Sequence, residues 1–333
     1  MKKKLFFICL SCFLLAFAFC GCGEKTEAPV DESEETVSVS EEQTPQNALE
    51  HTAAYLNDRV TDYVTSDLAG DWIVIGFSGG NCKVPDKLFE KYYALYEQGV
   101  AEVQGVLDDT TYSTYARAAL AVTAMGKDPR NVGGYDLLTP LADTEKVLSQ
   151  GTNGPIWALI ALNGASFEWE EASALADSYL SVLLSRQNED GSFALTEGGE
   201  GEVDITAMAL QALAFYKDRE DVAAAIDRSL NYLSNVQQED GGFIYWDESN
   251  SESISQVLIA LSALGISYDD PRFVKGENTL FDALMTFCLE DGSFIHAKKI
   301  QQADMMATEQ AFCALSAVCR CENGQPSLYD MTK

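Results

Sequence analysis

Two kinds of apolar pattern alternate along the chain. DITAMALQALAFY (204–216), SISQVLIALSALG (253–265) and MMATEQAFCALSAV (305–318) are small and apolar nearly all round, the composition of a helix buried between neighbours. Between them lie EEASALADSYLSVLLSR (170–186), DVAAAIDRSLNYLSNV (221–236) and NTLFDALMTFCL (278–289), whose apolar residues recur on one helical face. The same alternation runs upstream. TYSTYARAALAVTAMG (111–126) and GPIWALIALNG (154–164) read as buried helices, with KLFEKYYALYEQGVAEV (87–103) and LLTPLADTEKVLS (137–149) as their outer partners. The earliest pair is NALEHTAAYLNDRVTDYV (47–64) followed by AGDWIVIGFSGG (69–80).

Between the outer and inner member of the last three pairs an acidic pentapeptide returns: EDGSF at 189–193, EDGGF at 239–243 and EDGSF at 290–294. Asp before Gly favours a left-handed bend, and the Phe then re-enters the core. A fixed period of this length marks a repeat architecture. The spacing predicts an all-α fold over residues 47–325 in which six helical hairpins close into an α/α toroid, inner helices apolar and outer helices amphipathic, with an open superhelical solenoid as the structural alternative. It places Gly191, Gly241 and Gly292 where a Cβ is strained, and Phe193, Phe243 and Phe294 as plugs between adjacent hairpins.

The residues ahead of the toroid change the picture of its location. MKKKLFFICLSCFLLAFAFCGCG has three lysines before an apolar run ending in small residues and cysteine, as in a secretory signal peptide. Gly21-Cys22 resembles a bacterial lipoprotein processing site, so residues 1–22 are expected to be a lipoprotein signal and Cys22 the lipidated first residue of an extracytoplasmic, membrane-anchored protein. Residues 23–50 hold nine acids against one lysine and no aromatic residue, and residues 23–46 are expected to be a disordered tether. A net charge of −30 disfavours nucleic acid and anionic lipid as partners.

Beyond Cys22 the cysteines are Cys82, Cys288, Cys313, Cys319 and Cys321, an odd set without CxxC spacing. It indicates neither a disulfide framework nor a zinc site. Phosphate-binding glycine loops and a GxSxG nucleophile elbow are likewise not evident. The starts of the last three inner helices, by contrast, supply Asp204, Thr206, Ser253, Gln256, Asp304, Thr308 and Gln310 to one rim of the ring. Asp204 and Ser253 also suit ordinary N-caps, and Thr308 or Gln310 also suit bonds to a neighbouring helix. Together, polar groups converging on the mouth of an apolar barrel are the grammar of a small-molecule pocket. Trp157, Tyr245 and Trp246 are candidates to add flat surface there, Trp246 equally as a packing residue.

SRQNEDGSF (185–193), NVQQEDGGFIYW (235–246) and CLEDGSF (288–294) resemble the prenyltransferase and squalene-oxidase repeat of terpenoid-cyclase-like α/α toroids. VDITAMALQAL (203–213) and SISQVLIALSALG (253–265) further resemble segments of the α-domain of the cobalamin carriers intrinsic factor and transcobalamin. That likeness implies a corrinoid-like ligand touching Asp204 and Gln256. Prenyltransferases of this fold hold zinc through Asp, Cys and His, but this chain has only His51 and His296, with no Cys at motif spacing. Cyclases of the fold use an acidic DxDD cluster; EVDITA (202–207) keeps Glu202 and Asp204, with Ile205 in place of the last acid. The expected function is a cell-surface binding or interaction module without catalysis, metal or cofactor. The alternatives are a terpenoid-cyclase-like or prenyltransferase-like enzyme and a structural protein-interaction module.

Overall fold

The computed structural model describes residues 43–63, 70–165, 167–245 and 248–332. The signal sequence, Cys22, residues 23–42 of the expected tether and Trp246 lie outside these residues, while Pro45 and Gln46 at its end are already helical. Twelve α-helices follow in chain order: α1 (Pro45–Tyr63), α2 (Asp71–Gly79), α3 (Leu88–Glu102), α4 (Ser113–Ala124), α5 (Thr144–Ser149), α6 (Asn153–Gly164), α7 (Ala172–Ser185), α8 (Val203–Leu213), α9 (Glu220–Val236), α10 (Ser251–Leu264), α11 (Leu280–Met285) and α12 (Met305–Glu322). One two-residue antiparallel ribbon, Ile244–Tyr245 with Glu248–Ser249, precedes α10.

The even-numbered helices form a closed inner ring: α2 packs on α4, α4 on α6, α6 on α8, α8 on α10, α10 on α12, and α12 back on α2. The protein is therefore an all-α, α/α toroid. Each inner helix is buried almost throughout because its small side chains let two inner neighbours and an outer helix approach together. The outer helices cover the ring with a one-element offset: α7 packs on α6, α9 on α8, α11 on α10, and α1 on α12. These four outer helices lean on the inner helix before them, whereas α5 packs on α6, the inner helix after it.

Two outer helices are shorter than the sequence pattern indicates. The run 137–149 breaks into a 3-10 turn, Thr139–Ala142, and α5, because Pro140 enters the turn and Asp143 caps α5 by accepting from the Lys146 amide at 3.2 Å. α11 begins at a capping box in which Thr279 and Asp282 exchange bonds, and ends after six residues as the chain turns into EDGSF.

The three pentapeptides are the joints between successive outer helices. Gly191, Gly241 and Gly292 have φ of 90°, 83° and 84°, a region closed to most side chains. A Cβ on Gly191 collides with the Arg228 carbonyl of α9, and one on Gly292 lies 2.6 Å from the His51 carbonyl oxygen of α1. The last joint therefore closes the outer layer onto its beginning. Each turn is internally braced by its aspartate: Asp190 Oδ1 accepts from the Ser192 amide at 3.0 Å, and Asp291 Oδ1 from the Ser293 amide at 3.1 Å. Phe193, Phe243 and Phe294 are fully buried, as expected for plugs.

Candidate functional site

The inner helices run in one direction. Residues 325–332 cross one face of the ring, where the Arg320 guanidinium at the end of α12 donates to the Pro326 carbonyl at 2.8 Å and to Gly79 O, at the end of α2, at 3.2 Å. The Met331 amide reaches Gly164 O, at the end of α6, at 2.9 Å. From this strap Tyr329 enters the lumen, its ring 6.3 Å from Trp72 and 5.9 Å from Trp157, which lie 5.2 Å from each other. Tyr329 thus enters from the C-terminal side and meets Trp157, the fifth residue of α6, and Trp72, in the first turn of α2. The opposite face, where the inner helices begin, is the mouth.

Position along the inner helices identifies what lines it. Arg117, Trp157, Met208, Gln256 and Gln310 are each the fifth or sixth residue of α4, α6, α8, α10 and α12. All but Trp157 are partly exposed while both chain neighbours are buried. With the outward side of these helices covered, such residues face the lumen. Three glutamines form a chain across adjacent helices: Gln211 Nε2 donates to Gln256 Oε1 at 2.9 Å, and Gln256 Nε2 to Gln310 Oε1 at 3.0 Å.

The polar candidates divide into two groups. Thr206 and Thr308 are fully buried, and their hydroxyls accept from the Phe193 and Phe294 amides at 2.9 and 3.0 Å, stitching two of the turns to their inner helices. Asp304 caps α12 by accepting from the Ala307 amide at 3.0 Å. These three side chains serve the fold. Asp204 and Ser253 do not act as N-caps: Glu202 occupies that position in α8, and Asn250 caps α10 by accepting from the Ser253 amide.

Asp204 Oδ1 is buried without a hydrogen-bond partner, and the Ser253 hydroxyl lies beside the same carboxyl. Burial pushes the Asp204 carboxyl above its ordinary range; the adjacent Ser253 hydroxyl opposes this, and Glu252 and Glu202 add to it. Glu202, the companion acid of the EVDITA segment, accepts from the Leu195 amide at 2.9 Å. It is held by its own turn.

A cluster outside the candidate set lies at the start of α2. The wholly buried Asp71 carboxylate accepts from Tyr92 Oη at 2.9 Å, Tyr96 Oη at 3.3 Å and Arg117 Nε at 2.8 Å. Burial raises the Asp71 carboxyl, and Arg117 with the two phenols pulls it back. The sequence signal was local to Asp71 alone, an acid directly before the apolar run WIVIGF; its partners stand 21 to 46 residues away. No cluster of three metal-ligating side chains occurs among the described residues.

Comparison with known proteins agrees with this architecture. A family model described as the prenyltransferase alpha-alpha toroid domain matches residues 149–253 and 227–329. The chain is 25% identical over 238 residues to a drimenyl diphosphate synthase of Streptomyces showdoensis, covering 66% of this chain and 42% of that protein, less than half its length. Among solved structures, the unsaturated glucuronyl hydrolase of Bacillus sp. GL1, responsible for degradation of glycosaminoglycan, aligns with a TM-score of 0.56 at 15% identity over 87% of this chain and all of that one. A structure of UGL with dGlcA-Glc-Rha-Glc gives 0.55 at 15% identity, over 87% of this chain and 99% of the other. At that identity the likeness is one of fold.

Proposed function

The chain belongs to the prenyltransferase alpha-alpha toroid family, and from that premise we propose that it binds a small, largely apolar molecule in the mouth of the ring without transforming it. One observation carries this reading. Among the described residues the large apolar side chains left exposed are Val103, Val106, Leu195, Ile244, Tyr245, Ile300 and Met306, and every one lies in a connection from an outer to an inner helix or in the first turn of an inner helix. Apolar side chains exposed on the face where the inner helices begin support a binding site there. Inside it, the Trp72, Trp157 and Tyr329 rings supply contact area and Asp204, Ser253 and the glutamine chain supply orientation. Asp204 and Gln256, which the likeness to cobalamin carriers nominates, both stand here, so corrinoids belong among the ligands tested. The Gly21-Cys22 junction supports an anchored, extracytoplasmic site of action.

A second reading is acid-initiated cyclisation, favoured by the likeness to drimenyl diphosphate synthase and by the buried Asp204 carboxyl, one oxygen of which has no hydrogen-bond partner. Chemistry weighs against it. Protonating an alkene needs an unusually strong acid, whereas burial makes Asp204 a weaker one, and Glu202 is occupied elsewhere.

A thermal-shift screen tests both, since a ligand that binds only the folded state raises its melting temperature. The panel contains corrinoids, neutral terpenoids and isoprenoid diphosphates, with product analysis of each hit. Binding of an unchanged molecule, weakened by Asp204→Asn and Gln256→Ala without loss of fold, is the expected result. A cyclised product installs the enzyme reading; undiminished binding by both variants removes the mouth as the site.

A further inference from the structure

Resting on the binding reading above, we propose that the ligand carries an anionic head group, a carboxylate or a phosphate, and that Arg117 receives it. The inner helices contain two basic residues, Arg117 and Arg320. Arg320 is committed to the Pro326 and Gly79 carbonyls on the closed face. Arg117 is therefore the cation that this ring of helices presents to the mouth.

Its geometry is that of a receptor. Nε is fixed on Asp71, while the two Nη groups make no hydrogen bond among the described residues and the side chain is 39% exposed. Planar guanidinium held by one edge offers the other to a two-oxygen acceptor with little rotamer entropy left to lose. Tyr92 and Tyr96 donate to the same carboxylate, so Asp71 holds the Nε edge alone and the Nη edge stays available as a donor pair.

Register supplies the rest of the ligand. Arg117 stands at the same helical depth as Trp157 and Met208, so an acid held on its Nη groups lays its body across Met208 and the Trp72–Trp157 pair. Glu202, Asp204 and Glu252 stand at the starts of α8 and α10, where Glu252 is already paired with His296, whereas the Nη edge of Arg117 on α4 is unpaired among the described residues. The class is an amphipathic anion with a hydrocarbon body.

Dodecanoate, dodecyl phosphate and dodecan-1-ol, each below its aggregation threshold, are titrated calorimetrically into the wild-type protein and into Asp71→Asn/Arg117→Gln, a pair that keeps hydrogen bonding without stranding a buried charge. At least one anion is expected to bind tenfold or more tighter than the alcohol, with the stronger anion telling carboxylate from phosphate. In the double variant that preference collapses while alcohol binding stays. Arg117→Lys, which keeps the charge but not the fork, is expected to lose several-fold of the anion preference. Equal wild-type affinity for acid and alcohol overturns the anion assignment alone, and a preference that survives in the double variant overturns the role of Arg117. Failure of all three probes to bind overturns the binding reading beneath it.

Discussion

The Gln187 side-chain amide donates to the Ser229 hydroxyl at 2.9 Å, and the same nitrogen reaches Ala225 O and Gly191 O. One side chain thus ties the turn after α7 to helix α9. At the seam where α11 meets α1, Cys288 and Thr52 hold the corresponding positions, and Thr52 Oγ1 is buried without a partner. Cys288→Gln restores the missing donor. A net hydrogen bond stabilises by about 0.5–1.5 kcal/mol, and a kcal/mol moves the midpoint of a 150–250-residue domain by roughly 2–4 °C. A rise of a few degrees in a melting experiment is expected; a fall shows that the thiol's space does not admit an amide.

Phe243→Ala removes a plug buried on all sides and is expected to cost about 3–5 kcal/mol. Thr206→Val keeps the volume but leaves the Phe193 amide without its acceptor, a loss of roughly 1–3 kcal/mol. Urea midpoints measure both. A Phe243→Ala protein that unfolds with the parent refutes the plug.

Asp204 makes stability depend on pH in a stated direction. Its folded value lies above the ordinary 3.8, so the folded state holds the proton more tightly and stability falls as pH rises through the interval between the two values. Below about 3.8 both states are protonated and the penalty vanishes. Asp204→Asn should therefore melt higher than the parent at neutral pH, with a gain that shrinks on acidification. A variant that melts lower at neutral pH makes Asp204 an internal brace.

His296 acts oppositely. Its Nδ1 lies 2.8 Å from Glu252 Oε1, and that bond, against some burial, raises the imidazole above 6.5, with Glu252, Asp304 and Glu248 contributing charge. The pair's contribution is complete below about 6.5 and is lost as pH rises through the folded value. His296→Gln should lower the melting temperature at about pH 5 and match the parent at about pH 9. A pH-independent difference removes the ion pair as its cause.

The six pairs were legible because burial imposes a period: helices wedged between neighbours are apolar all round, and each EDG turn needs its glycine. The offset was not, because α9 carries the same amphipathic stripe whether it covers α8 or α10. Pro140 did announce the break in its run. Within the site, Trp157 and Gln256 were legible as odd residues in uniform helices. Thr206 and Asp204 stood two residues apart with equal claims, and only the three-dimensional path of the Phe193 turn separates the structural hydroxyl from the carboxyl that the turn does not use. Arg117 and Asp71 meet across 46 residues, and Tyr329 lies beyond the 47–325 boundary drawn from the repeats. No local pattern pairs such groups.

The seam between α12 and α2 joins residues about 240 apart, as in the bond from Ser316 Oγ to Gly76 O. During synthesis at roughly 5–20 residues per second, the flank of α2 waits on the order of ten to fifty seconds for its neighbour to be made. Until then the growing arc has two bare apolar ends, one fixed and one advancing, and each is a surface onto which another nascent arc can dock. Contacts of such long range slow folding, so this ring places its aggregation hazard in its own biogenesis. Packing of α12 between α10 and α2 covers both ends at once.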